Sequence, residues 1–112
     1  MNALKGSCHC GRVTVELAGT PAEVSECNCT LCRRIGGLWH YCPPEDAAVA
    51  GACDGYVQGD CSLTTWRCSH CGCVTHWTAI DPAYCRMGVN MRIFDPAVWR
   101  ELPRRFVDGA RY

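Results

Sequence analysis

The chain has 112 residues, of which 48% are hydrophobic, and this is enough for one domain (residues 1–112) with a modest core. Its 11 basic and 11 acidic residues cancel, so the charge pattern predicts neither nucleic acid nor an acidic membrane as a partner. No apolar run is long enough for a membrane helix, and the first residues lack the apolar core of a secretory signal. We therefore expect a cytoplasmic protein.

The N-terminal region combines a cysteine turn with a strand. Residues 12–17 alternate β-branched and polar side chains, which predicts a half-buried strand. The turn before it carries Cys8 and Cys10. Gly11 follows directly and can adopt a positive φ, which would turn backbone N–H groups towards the thiolates.

A second cysteine cluster places Cys27, Cys29 and Cys32 within six residues. The sulfur ligands of one tetrahedral zinc lie about 3.7 Å apart, whereas alternate residues of a strand are separated by about 6.6 Å. The segment must therefore be a turn, and Asn28 and Thr30 suit one. We expect a single helical turn over residues 31–35, ended by the glycine pair 36–37.

The remaining pattern predicts short strands and little helix. An aromatic strand over residues 38–42 stops at Pro43 and Pro44, and Asp95 with Pro96 indicates a capped helical turn over residues 95–100. Further strands are predicted at 56–58, 62–67, 74–79 and 87–93. The strand at 62–67 leads into a knuckle formed by Cys68 and Cys71. The sequence of the tail, from residue 101, gives no clear prediction of secondary structure.

Twelve cysteines form the most unusual feature of the composition. A secreted disulfide framework and a reduced metal-binding protein are both compatible with such a number. The spacing favours metal, because seven cysteines lie in clusters at ligand intervals. These are Cys8, Cys10, Cys27, Cys29, Cys32, Cys68 and Cys71.

The seven clustered thiols divide as four plus three, which predicts two zinc ions per chain. Cys8 and Cys10 with Cys68 and Cys71 would complete a closed structural zinc site that joins two distant turns. The trio of Cys27, Cys29 and Cys32 leaves a tetrahedral zinc one ligand short. Such an open position is typical of catalytic zinc, so we name the trio as the candidate catalytic group.

A fourth side chain could instead close the trio into a second structural site. Nine residues could supply it: Cys42, Cys53, Cys61, Cys73, Cys85, His9, His40, His70 and His76. Each of these cysteines alone is more typical of a small buried hydrophobic residue. His40 could face the trio or be a partly buried histidine with satisfied hydrogen bonds. An iron–sulfur cluster is a third interpretation, although the ferredoxin spacing is absent.

Other side chains could complete a substrate pocket. Trp39, Tyr41, Trp66 and Trp77 either wall such a pocket or belong to the core. Arg33 and Arg34 directly follow Cys32 and either bind a substrate carboxylate or lie solvated on the surface.

The cysteine motifs resemble those of the glutathione-dependent formaldehyde-activating enzyme and centromere protein V domain family. The resemblance rests on G-x-C-x-C-G at 6–11, C-x-C-x-x-C-R at 27–33 and C-x-x-C-G at 68–72. Later, Gly88-Val89-Asn90 and Phe94-Asp95-Pro96 look like the late strand of the family and the turn after it. Order and spacing agree over nearly the whole chain. One departure is Asn28, because the family usually has histidine between the first two cysteines of the trio.

The resemblance implies a mainly β fold of small antiparallel sheets folded over a zinc, a β-tent with little helix. It implies that Cys8, Cys10, Cys68 and Cys71 hold a structural zinc, and that Cys27, Cys29 and Cys32 hold a catalytic one. It also implies addition of glutathione to formaldehyde, which in reverse is a carbon–sulfur lyase reaction.

Our leading hypothesis is a zinc-dependent, carbon–sulfur lyase-like enzyme. Zinc at the trio would activate a small thiol, for which the resemblance suggests glutathione, towards an aldehyde such as formaldehyde. The alternative is a zinc-stabilised protein-interaction module in which both zinc sites are closed and structural. A carrier of zinc or copper is a third interpretation, and the sequence leaves the oligomeric state open.

Overall fold

The computed structural model describes residues 3–111, so Met1, Asn2 and Tyr112 of the predicted domain lie outside it. The fold is mainly β, as predicted, with two sheets and little helix. The smaller sheet is antiparallel, in the order β1-β2-β5. Its strands are β1 (Leu4–Ser7), β2 (Thr14–Leu17) and β5 (Ala47–Ala50).

The larger sheet has seven strands in the order β10-β3-β4-β9-β8-β7-β6. They are β3 (Val24–Cys27), β4 (Trp39–Cys42), β6 (Cys53–Val57), β7 (Leu63–Cys68), β8 (Val74–Ala79), β9 (Met87–Asn90) and β10 (Arg104–Val107). Two one-turn helices are α1 (Cys32–Ile35) and α2 (Pro96–Trp99). Short 3-10 turns lie at Pro44–Asp46, Met91–Ile93 and Gly109–Arg111.

The main core lies between side chains of the two sheets. Val15 and Leu17, on one face of β2, contact buried residues of β3, β4 and β9, while Glu16 between them is exposed. This alternation is the period-2 pattern that the sequence shows over residues 12–17. The rest of the buried cluster comprises Val24, Leu38, Cys42, Met87, Val89, Met91 and Phe94.

The local sequence signals account for several element boundaries. The backbone N–H of Ala97 donates to Asp95 Oδ1 at 2.9 Å, so Asp95 caps α2 as predicted, with Pro96 in the first turn. Strand β9 is shorter than the predicted 87–93, because Asn90 accepts a hydrogen bond from the Arg92 N–H and begins a 3-10 turn.

Strands β1 and β10 are among those that the sequence did not predict, and both pair through the main chain. Strand β1 pairs with β2 immediately before the cysteine turn. Strand β10 pairs in parallel with β3, with Val107 opposite Cys27, although the pairs predicted for this fold were antiparallel. The C-terminal segment is thereby brought to the trio. None of the helices within residues 3–111 is long and apolar enough to cross a membrane.

Candidate metal centres

The first cysteine group joins two turns from opposite halves of the chain. The sulfur atoms of Cys8, Cys10, Cys68 and Cys71 all lie within 4.8 Å of one another. The distances from Cys10 Sγ to Cys8 Sγ and to Cys68 Sγ are both 3.6 Å. These spacings match the separation of about 3.7 Å expected between sulfurs around one tetrahedral zinc. The four residues that the sequence grouped therefore do come together.

Backbone amides point at these sulfurs. The Val13 N–H donates to Cys8 Sγ at 3.3 Å, and the N–H groups of His70 and Cys71 both donate to Cys68 Sγ at 3.4 Å. Such hydrogen bonds favour the thiolate over the thiol, and the thiolate is the form that binds a metal.

Glycine closes each of the two turns. Gly11 and Gly72 have φ values of 82° and 80°, a region that favours glycine, and the value for Gly11 confirms the prediction. Backbone N–H groups of Cys73 and Cys10 lower the pKa of Cys71 to about 5. These hydrogen bonds favour a thiolate at Cys71, and a group of four cysteine sulfurs is suited to a soft divalent cation.

The trio forms at the junction of β3 and α1. Cys27 ends β3, Cys29 lies in the turn, and Cys32 begins α1. Their three sulfur atoms lie within 4.8 Å of one another. The helix is one turn long and ends at Gly36, which has a φ of 72°, so the predicted turn and its glycine stop are confirmed.

Electrostatics at the trio favours a bound cation. Burial, followed by hydrogen bonding to Cys29 and the negative charges of Cys27 and Cys29, raises the pKa of Cys32. Burial also acts to raise the pKa of Cys29, but hydrogen bonds outweigh it and leave that pKa lowered; one of them is the Cys32 N–H at 3.2 Å. Three thiolates at this spacing repel one another, and a divalent cation would offset the repulsion.

The C-terminal segment packs directly on the trio. A Cβ atom added to Gly109 would collide with Cys27 Sγ and would lie 3.2 Å from the Cβ of Cys29. A side chain at this position would therefore displace the sulfur of Cys27 from its place in the trio. Sequence reasoning missed this contact, because nothing in residues 101–112 signals a partner in the first third of the chain.

Asn28 fastens the C-terminal segment in place. Its Nδ2 donates to Asp108 Oδ1 at 2.8 Å, and its Oδ1 accepts from the Ala110 N–H at 2.9 Å. Its own N–H donates to the Val107 carbonyl at 3.1 Å. The residue that departs from the usual family motif therefore links the turn of the trio to the tail. We call these three hydrogen bonds the Asn28 clamp.

No fourth side chain joins the trio from the part of the chain that the structure describes. Within residues 3–111, no histidine, aspartate, glutamate or further cysteine has a ligand atom within 4.8 Å of all three sulfurs. Cys42 is buried in the core, whereas Cys61 and Cys85 are exposed, so the expectation of buried cysteines was wrong for those two. Cys53 and Cys73 pack beside Cys8 and Cys68 of the first group.

His40, the histidine that could face the trio, lies in a different electrostatic environment from its neighbour Tyr41. Burial lowers the pKa of His40, and the charge that opposes this effect is Asp46. Burial raises the pKa of Tyr41 to about 12, and the negative charges of Cys27 and Cys32 add to this rise. The negative charges of the trio therefore affect the pKa of Tyr41 rather than that of His40.

The aromatic side chains divide between core and cavity. Trp39 is fully buried, and the Trp66 Nε1–H donates to Thr78 Oγ1 at 2.8 Å. Trp77 lies with its ring centroid 5.9 Å from that of Tyr41 and lines a largely apolar cavity of about 450 Å³. Of the four aromatics singled out in the sequence, Trp77 thus has the clearest place in a cavity wall.

The two arginines after Cys32 point into different clefts. Arg33 lines a cleft of about 300 Å³ together with Cys27 and Cys32. Arg34 lines a separate cleft with Cys29, and its Nη1 donates to the Thr30 carbonyl at 2.8 Å.

These features define a mainly β protein with two cysteine groups that could each hold a metal ion. The chain belongs to the glutathione-dependent formaldehyde-activating enzyme family, whose model matches residues 3–104. All seven clustered cysteines fall within that match, whereas Gly109 lies beyond its last residue.

The chain is also similar to a solved structure. A crystal structure of a Rhodobacter sphaeroides protein is similar to this chain, with a TM-score of 0.73 and 32% sequence identity. The similarity covers 91% of this chain and 100% of that one. No curated protein matches the chain.

Proposed function

We propose that this protein is a carbon–sulfur lyase-like enzyme that adds a small thiol to an aldehyde such as formaldehyde, with zinc held by Cys27, Cys29 and Cys32. The main support is the convergence of three sulfurs that no fourth ligand from residues 3–111 joins. Membership of a family named for glutathione-dependent formaldehyde activation supports the thiol and the aldehyde as substrate classes. Glutathione is our first candidate for the thiol.

The obstacle to the reaction is that little of a free thiol is present as the reactive thiolate. A free thiol with a pKa of about 8.5 is only a few per cent thiolate at pH 7. Zinc bound by the trio would supply a lower thiol pKa, and so a larger fraction of the nucleophilic thiolate. Because three cysteine thiolates already exceed the charge of the zinc, a soft sulfur suits this donor set better than hydroxide does.

The chain itself shapes the donor set. The Cys32 N–H stabilises negative charge on Cys29, and the Asn28 clamp holds Gly109 against Cys27. These contacts fix the three sulfurs before a substrate arrives, so less ordering is needed on binding.

The bond changes balance without an oxidant or a reductant. The thiolate sulfur forms a bond to the aldehyde carbon, and the carbonyl π electrons move to oxygen, which takes up a proton. In the reverse direction the oxygen loses that proton, the carbon–sulfur bond breaks, and its electron pair returns to sulfur.

We assign the group of Cys8, Cys10, Cys68 and Cys71 a structural role. Cys10 and Cys68 are 58 positions apart, so one metal at this group would close a long loop of the chain. In small proteins the binding energy of such a metal contributes directly to folding.

A Cys29→Ala variant tests the proposal. Thiols also add to formaldehyde without a catalyst, so the quantity measured is the rate above that of a protein-free mixture. We expect Cys29→Ala to lose this acceleration, measured by NMR with 13C-formaldehyde, and to bind one zinc instead of two while keeping its fold. Cys85→Ala is the matched control, because Cys85 is an exposed cysteine outside both groups. Adduct formation by Cys29→Ala at the wild-type rate would refute the proposal.

The interaction-module alternative requires a second closed zinc site. The described residues offer the trio no fourth side chain, and this favours the enzyme. A zinc-loaded structure with four protein ligands at the trio would reverse that preference.

A further inference from the structure

A second feature next to the trio is a small cationic cleft. Three arginines, Arg33, Arg92 and Arg104, line the same cleft of about 300 Å³ as Cys27 and Cys32. Such a cleft is large enough for a few non-hydrogen atoms of a small molecule. We call it the arginine cleft.

The fold assembles these arginines from three separate elements. Arg33 lies in α1, Arg92 in the 3-10 turn after β9, and Arg104 at the start of β10. Only Arg33 is close to the trio in sequence. The parallel pairing of β10 with β3 brings Arg104 to the edge of the cleft, opposite Val24 and beside Glu26.

Arg92 is held with its terminal amino groups available. Its Nε donates to the Gly36 carbonyl at 2.7 Å, and its guanidinium carbon lies 5.3 Å from the centroid of the Trp99 ring. Within residues 3–111 its two terminal amino groups have no hydrogen-bond or ion-pair partner. A fixed guanidinium with unused donors is well suited to a carboxylate.

The charge balance of the cleft favours an anion. Glu26 is the one acidic residue that lines it, and Glu26 Oε1 lies 3.3 Å from Arg104 Nη1. Three guanidinium groups and one carboxylate thus line the cleft, and a zinc-loaded trio of thiolates would add one negative charge, so a net positive charge remains. The remaining positive charge lies next to two of the three sulfurs of the trio.

We propose that the arginine cleft binds the carboxylate of the thiol substrate, so that the preferred substrate is a thiol that carries a carboxylate rather than a neutral one. This inference rests on the proposed function, because it assumes that the sulfur of the same molecule binds at the trio. Arg33 and Arg92 act as specificity residues, since they recognise a group that takes no part in the bond changes.

Two thiols that differ at one group test this inference. N-acetylcysteine carries a carboxylate, and N-acetylcysteine amide has a neutral amide in its place. Full-length protein loaded with cobalt in place of zinc reports thiol binding through its sulfur-to-cobalt absorption, so each dissociation constant is measured without turnover. The two free thiols differ in pKa, so their dissociation constants differ for that reason as well. We therefore compare the ratio of the two constants between each variant and the wild type.

We expect Arg33→Gln and Arg92→Gln each to reduce the preference for the acid over the amide by about tenfold, as for the loss of one charge-assisted contact. Glu26→Gln should increase the preference, because it removes the competing carboxylate from Arg104. Arg34→Gln removes the same charge one residue away from Arg33, outside the cleft, and should keep the wild-type ratio.

An unchanged ratio in both Arg33→Gln and Arg92→Gln would overturn the inference, as would an equal loss in Arg34→Gln.

Circular dichroism and metal content show that each variant is folded and loaded with metal. If the acid preference depends on the arginines but the protein does not accelerate adduct formation with formaldehyde, the proposed function fails and the inference about the arginine cleft is upheld. If the protein accelerates adduct formation with both thiols and the ratio does not depend on the arginines, only the inference fails. If neither thiol binds, both fail.

Discussion

Gly109 lies against Cys27, although the two residues are far apart in the sequence. The contact follows from the parallel pairing of β10 with β3, which places Val107 beside Cys27 and carries the next residues over the trio. The trio is therefore built from the cysteine turn and also depends on the tail. This dependence can be tested by substitution in the tail alone.

A Gly109→Ala substitution should weaken metal binding at the trio. The added methyl group would collide with Cys27 Sγ, and overpacking of this kind costs about 1–3 kcal/mol, or about tenfold in affinity. We expect the zinc content after dialysis against a weak chelator to fall from two to one per chain. Gly19→Ala is the control, because nothing lies within 4 Å of a Cβ there. Full zinc retention by Gly109→Ala would show that the tail does not constrain the trio.

The Asn28 clamp predicts that Asn28→Asp releases the tail. The new side chain keeps the acceptor for the Ala110 N–H but puts a carboxylate where Nδ2 donated to Asp108 at 2.8 Å. Loss of that hydrogen bond and like-charge repulsion should cost about 1–2 kcal/mol locally. Hydrogen exchange of the Ala110 amide should then be about tenfold faster or more. An exchange rate equal to that of the wild type would contradict this role for Asn28.

The two cysteine groups should differ in their effect on stability. Cys68 is buried in the group that joins distant turns, so Cys68→Ser should lower Tm by about 10 °C or more. Cys29→Ser should lower Tm much less, because its three ligands lie within six residues of one another. Thermal unfolding of zinc-loaded protein measures both. Equal losses of Tm would mean that both groups are structural.

His76 should make the protein less stable in acid. Burial lowers its pKa to about 4, whereas an unfolded chain has a histidine pKa of about 6.5. As pH falls between these two values, the unfolded chain binds a proton that the folded chain does not, so stability falls, by at most about 3 kcal/mol. The His76→Gln variant should show a flatter dependence on pH over this window in urea unfolding.

Acid also protonates the cysteines, so the informative quantity is the difference in slope between wild type and His76→Gln. That difference removes the effect of metal loss that both proteins share. Parallel curves for the two proteins would rule out His76 as a source of the pH dependence.

Local signals in the sequence predicted part of this architecture well. The strand expected at 74–79 is observed as Val74–Ala79, and the grouping of seven cysteines follows from ligand intervals that are fixed by short turns. Both features depend on residues close to one another in the chain. Strand β10 could not be predicted in this way, because three of its four residues are exposed and its apolar residues do not alternate with polar ones. It forms through main-chain pairing with β3.

The surroundings of the trio could not be predicted for the same reason. The Asn28 clamp, the Gly109 contact and the arginine cleft all depend on the position of β10. Arg33 was singled out in the sequence because it follows Cys32, but Arg92 and Arg104 reach the cleft only through the tertiary fold. Asn28 was noted as a departure from the family motif, and its hydrogen bonds to the tail now give that departure a structural consequence.

The central claim is that the metal at the trio accepts a thiol from outside the protein. X-ray absorption of zinc-loaded protein measures the sulfur coordination directly. The cysteine groups predict an average of about 3.5 sulfur ligands per zinc without substrate, rising to about four when a small thiol is added. An average of four before any thiol is added, or a value of about 3.5 that does not change on its addition, would contradict the account.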